Sequence, residues 1–113
     1  MTPAALDAAC RALAAVTMDV QWGGDHVYKI GGKMFAVAGS GGGLSIKVSD
    51  IAYEALTQDG QARPAPYLAR AKWVRFDDLA ALDVDEARDL LRNAHVLVAT
   101  KLTRAVRRGL GLG

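Results

Sequence analysis

The stretch His26-Val27-Tyr28-Lys29-Ile30-Gly31-Gly32-Lys33-Met34-Phe35-Ala36-Val37 constrains the fold of this chain more than any other. Two runs rich in apolar and aromatic residues flank a Gly-Gly pair, the signature of a β-hairpin closed by a two-residue turn. Such turns require positive φ, which a Cβ resists and glycine does not. A turn at Gly31-Gly32 predicts Ile30 opposite Lys33, Lys29 opposite Met34, Tyr28 opposite Phe35, Val27 opposite Ala36 and His26 opposite Val37. By alternation, Tyr28, Ile30, Phe35 and Val37 should face the core, and Lys29 should point the other way.

The chain has 113 residues, enough to bury one core without a disulfide or a structural metal. A single domain is predicted over residues 1–108, followed by a flexible Gly-rich tail over 109–113. No apolar run approaches the roughly 18 to 20 residues of a membrane span. No basic segment followed by an apolar one suggests an export signal. Cys10 is the lone cysteine, which excludes an internal disulfide and an all-cysteine metal site. These features point to the cytoplasm. The formal net charge is only +2, too mild for a dedicated nucleic-acid coat, so the placement of charge matters more than its sum.

Around the hairpin the elements follow from local signals. Thr2-Pro3 opens a helix whose apolar stripe is Leu6, Ala9, Cys10 and Leu13, with Asp7 and Arg11 one turn apart. Cys10 lies on that stripe without a cationic partner, which makes it a core residue rather than a nucleophile. Val16 to Trp22 reads as a strand, with Val20 and Trp22 on one face. Leu44-Ser45-Ile46-Lys47-Val48-Ser49 alternates with period two, so Lys47 should join Lys29 on the side away from the core. Ser49 or Asp50 caps a second helix with Ile51, Ala52, Ala55 and Leu56 inward, ending near Gly60. Pro64 and Pro66 impose an extended segment. Tyr67 to Phe76 then reads as loop followed by strand. Asp83 and Glu86 open a last helix whose stripe runs Val84, Ala87, Leu91, Ala94, Val98, Leu102, with acids early and Lys101, Arg104, Arg107 and Arg108 late. Strands with a helix at each end give an α+β layer: an antiparallel sheet, the N- and C-terminal helices on one face, the other face free.

Catalytic patterns are missing. The glycines at 31–32 and 39–43 lack the phosphate-loop spacing and lead into strands. His26 and His95 have no metal-ligand spacing around them, and no GxSxG elbow is present. The aspartates at 77, 78, 83 and 85 read as turn and cap residues. No catalytic residue, metal or cofactor is therefore expected.

The basic residues are more informative. Lys29, Lys33 and Lys47 lie on or near the hairpin; Arg63, Arg70, Lys72 and Arg75 surround Tyr67 and Trp73; Lys101, Arg104, Arg107 and Arg108 crowd the end of the chain. Cations interleaved with aromatics suit nucleic acid, where phosphates need charge and exposed bases need a flat partner. The alternative is a solvated surface, with Trp73 in the core and the terminal arginines matched to a helix dipole. The first reading assigns Lys29, Lys33, Lys47, Arg70, Lys72, Arg75, Lys101, Arg104, Arg107 and Arg108 to phosphate contact, with Trp73 as a stacking platform. Its rival is a protein-interaction or small-ligand module with no nucleic-acid role.

The order of motifs resembles the MmcQ/YjbR family of small bacterial proteins. Val16-Thr17-Met18-Asp19-Val20-Gln21-Trp22-Gly23, the hairpin from Val27 to Val37, Pro64-Ala65-Pro66-Tyr67, Lys72-Trp73 and Ala94 to Leu102 carry the resemblance. It implies a CyaY-like α+β fold and a role in binding DNA through sheet and loops. Many members have a His-x-Asn-Lys-x-His-Trp segment where this chain reads Leu68-Ala69-Arg70-Ala71-Lys72-Trp73, without the His and Asn. The fold is shared with frataxin-type iron chaperones, but their acidic ridge is matched here by Asp7 alone, which argues against iron.

Overall fold

The computed structural model describes residues 1–112. The elements are α1 (Pro3–Arg11), β1 (Val16–Gln21), β2 (Asp25–Ile30), β3 (Lys33–Ala38), β4 (Leu44–Lys47), α2 (Asp50–Gln58), β5 (Arg63–Pro64), β6 (Trp73–Phe76), α3 (Val84–Ala99) and α4 (Arg104–Gly109). Single 3-10 turns occupy Ala69–Ala71 and Leu79–Ala81. The strands form one antiparallel sheet in the order β1-β2-β3-β4-β6-β5, the α+β layer expected. Side-chain caps start the helices where the sequence signals lie. Thr2 accepts from the Ala5 N–H at 3.1 Å, Ser49 from Ala52 at 3.1 Å and Asp83 from Glu86 at 3.0 Å.

The hairpin closes at Gly31 (φ +59°) and Gly32 (φ +78°), and Ile30–Lys33 and Lys29–Met34 pair as predicted. A bulge then shifts the register, giving Tyr28–Ala36, Val27–Val37 and His26–Ala38. One extra residue on β3 puts Phe35 and Ala36 both toward the helices and reverses the parity beyond them. Val37, expected in the main core, therefore turns to the other face with Val27.

Two cores result. The larger unites Leu6 and Cys10 of α1, Tyr28, Ile30, Phe35, Ala36, Leu44 and Ile46 of the sheet, and Leu91 and Ala94 of α3. The smaller, across the sheet, is Val27, Val37, Ala65 and Trp73, flanked by Met34 and Leu68. It exists because residues 65–73 fold back over the sheet, with Ala65 N–H donating to the Trp73 carbonyl at 3.0 Å and Trp73 N–H to Leu68 at 3.2 Å. The face expected to be free is thus partly roofed.

Two helices differ from expectation. α2 turns Ala52, Tyr53 and Leu56 inward and leaves Ile51 exposed at 84% and Ala55 exposed. The Tyr53 ring takes the inward place, rotating the stripe by one residue. The terminal helix is broken in two: α3 stops at Ala99, and Thr103 caps α4 by accepting from Val106 N–H at 3.2 Å. The break lets Leu102 drop into the core, and Leu110 and Leu112 pack against that core where a flexible tail was predicted. Gly113 lies outside the described residues.

Polar tethers cross the layers. Tyr28 Oη donates to Asp7 Oδ1 at 2.8 Å, fixing α1 to β2. That hydrogen bond, above all other influences, holds the Asp7 carboxyl below its ordinary value. Buried His95 places Nε2 2.8 Å from the Ala14 carbonyl and sets its ring edge-on to Phe35, centroids 5.7 Å apart. Burial, reinforced by Asp7, pushes the Cys10 thiol up to about 12, which keeps it protonated and unreactive.

Candidate nucleic-acid interface

Antiparallel pairing decides which cations meet. The Gly31-Gly32 turn, the start of β3, the end of β4 and the start of β6 all lie at one end of the sheet, because Ile30 pairs with Lys33 and Lys47 with Trp73. At the other end lie Asp25, the Gly39–Gly43 connection and Asp77, beyond the Leu44–Phe76 pair. Lys33, Lys47 and Lys72 therefore share an end although the sequence separates them widely.

The C-terminal segment completes that end. Leu102 and Val106 pack so closely on Gly31 that a Cβ there would sit 2.8 Å from Leu102 Cδ1 and 3.3 Å from Val106 Cγ1. This docks α4, with Arg104, Arg107 and Arg108, beside the hairpin turn. Lys101, immediately before Leu102, joins this group to Lys47 and Lys72. Lys47 Nζ donates to the Ala71 carbonyl, and Val48 N–H donates to the Lys72 carbonyl at 2.9 Å. Burial first, then the neighbouring Lys101, with a smaller contribution from Lys72, lowers the Lys47 ammonium below the ordinary lysine value; Asp50 opposes them. Lys72 Nζ also lies 4.7 Å from the centre of the Tyr53 ring. Among the described residues, Lys33, Lys47, Arg70, Lys72, Lys101, Arg104, Arg107 and Arg108 form no ion pair.

Three predicted contacts do not join them. Lys29 lies on the predicted face but pairs with Asp19 at 3.0 Å, diagonally across the β1–β2 ladder, where Thr17 stands directly opposite. Arg75 donates to Asp77 at 3.1 Å, and the same carboxylate receives Arg63 at 2.9 Å. Trp73 is buried at 5% exposure beneath the 65–73 segment and offers no ring to a ligand. An aromatic that begins a strand paired on both sides is drawn into the core; the one held in the preceding loop is not. That one is Tyr67, whose side chain is wholly exposed at φ +65°. The sequence signal for it was Pro66, which keeps the neighbouring backbone out of regular structure.

The YjbR family model matches residues 11–97, three-quarters of the chain, including the hairpin and most of α3. The chain belongs to the YjbR family. A crystal structure of the Deinococcus radiodurans protein DR2400, with a DUF419 domain, superposes with a TM-score of 0.81 at 27% identity. The likeness covers 96% of this chain and 86% of that one. No curated protein matches.

In this YjbR protein the concavities differ in character from the basic end. One, of about 710 Å³, lies at the opposite end and mixes Arg63 and Arg75 with Asp77, Asp78, Asp83 and Glu86. A smaller groove of about 260 Å³ runs between α2 and α3, where Ala52, Leu90, Val96 and Leu97 meet Lys47. Among the described residues no three of His, Cys, Asp and Glu are grouped to hold a metal ion. No helix there is long and apolar enough to cross a membrane.

Proposed function

We propose that this YjbR protein binds nucleic acid through its phosphates, without catalysis, at the hairpin-turn end of the sheet rather than on the open sheet face. One observation carries the reading: Lys101 and Lys72, from distant segments, both act on the Lys47 ammonium, Asp50 opposes them there, and none of the three lysines forms an ion pair among the described residues. Crowding like charges raises the energy of the free protein, and a polyanion relieves it by displacing its own counterions. The docked α4 extends the field with Arg104, Arg107 and Arg108. Binding isotherms across salt test this. Log K should fall linearly with log[salt], by about 0.9 for every phosphate neutralised on duplex DNA and about 0.7 on a single strand. Affinity that ignores salt would remove the reading.

A second reading, a protein or small-ligand site, draws on the groove between α2 and α3. Its walls are mostly apolar, with Lys47, Ser49 and Asn93 among them, and Val96 on its rim is 56% exposed. That reading predicts a partner whose binding survives high salt and is lost in Val96→Asp.

A further inference from the structure

We infer that Tyr67 is a stacking platform for an unpaired base, so that the nucleic acid bound at the basic end is single-stranded; this rests on the phosphate-binding reading above. The side chain is completely exposed, an unusual state for a ring with so much surface to bury. Its backbone lies at φ +65°, in the left-handed region that L residues avoid, and Lys72 at the far side of the same turn lies at φ +60°. Strain of this kind persists where the surroundings over-determine it, and it gathers at ligand sites.

The surroundings here form a pedestal. Leu68, next in sequence to Tyr67, is anchored in the small core with Trp73. Its N–H donates to the Ala65 carbonyl at 3.1 Å, and its carbonyl accepts from Ala71 at 3.2 Å and Trp73 at 3.2 Å. Lys47 Nζ holds the Ala71 carbonyl from outside. The turn is thereby pinned from below while Tyr67 is held out from it. Arg70 and Lys72 on the same turn have no ion-pair partner among the described residues, so a strand stacked on Tyr67 brings its flanking phosphates to cations. Bases inside a duplex are already stacked on both faces and cannot use such a ring; unpaired bases can.

The test measures anisotropy of labelled probes at low salt with the full chain: an oligothymidylate, an abasic strand of equal length and a blunt duplex. The oligothymidylate should bind at least about fivefold more tightly than the abasic strand, the lower end of what one base–aromatic stack supplies. Tyr67→Ala should bring it down to the abasic level, while Tyr67→Phe and Tyr67→Trp keep the preference. Tyr67→Gly relieves the left-handed strain, so it should melt no lower than the wild type and yet lose the preference, a split that a merely structural tyrosine would not give. If the wild type shows no preference, if Tyr67→Ala keeps it, or if the duplex binds more tightly than the oligothymidylate, the role of Tyr67 is overturned and phosphate binding stands. If none of the probes binds, both fall.

Discussion

The two ends of the sheet hold their cations in opposite circumstances. At the β5–β6 edge, Arg63 and Arg75 converge on one exposed carboxylate, Asp77, which their hydrogen bonds, Arg63 first, hold below its usual value. At the hairpin-turn end, Lys101 and Lys72 crowd Lys47, with Asp50 opposing them. The first arrangement spends its field locally and, being exposed, adds little to stability. The second leaves its field open to solvent and to polyanions. Counting basic residues hides this difference. Knowing which of them already has a partner exposes it.

That contrast can be broken most forcefully at Gly31. Gly31→Ala adds a Cβ at positive φ against Leu102 and Val106, and should cost about 2 kcal/mol or more of folding stability by overpacking and backbone strain. A denaturant titration measures the loss. Because α4 docks there, nucleic-acid affinity should fall with it.

A sharper cut compares pairs of substitutions. Lys47→Ala with Lys101→Ala should flatten the salt slope by close to 2 on duplex DNA, about 0.9 for each contact. Arg63→Ala with Lys29→Ala should change it far less, since Asp77 and Asp19 already neutralise those cations. Equal effects would dissolve the distinction between the ends.

The tether of α1 tests whether the architecture outlasts the charges. Tyr28→Phe deletes the hydroxyl that Asp7 accepts and should cost roughly 1 kcal/mol. Asp7 has a folded value below its ordinary 3.8, so its contribution is complete above that pH and is lost as pH falls through the folded value. Acid unfolding followed by circular dichroism should show a loss of stability below that pH that Tyr28→Phe blunts. The gentlest change is Asp77→Asn, which frees Arg63 and Arg75. The denaturation midpoint should barely move, as expected for exposed ion pairs, while the salt slope becomes slightly steeper.

Much of the fold was legible because its signals are local. Thr2, Ser49 and Asp83 cap because a short polar side chain precedes a helical stripe, and Gly31-Gly32 closes a hairpin because positive φ selects glycine. The bulge at Phe35 was not legible, since alternation contains no mark for an inserted residue, and Val37 went to the wrong face in consequence. The break before Thr103 was also hidden, because the apolar spacing through Leu102 continues as if the helix did. Of the nominated contacts, Lys33, Lys47, Arg70, Lys72, Lys101, Arg104, Arg107 and Arg108 remain without carboxylate partners among the described residues. Lys29 and Arg75 do not, and Trp73 yields its exposed position to Tyr67.

By itself, the order of residues determined the α+β class, the hairpin, the helix starts and the family, all of which depend on neighbours a few positions apart or on motifs in line. Only the tertiary structure decided which cations keep an open field, which aromatic is exposed and which sheet face is roofed. Those outcomes depend on distances through space between segments that the chain keeps far apart, and a carboxylate a few ångströms away cancels a charge whatever its place in the sequence.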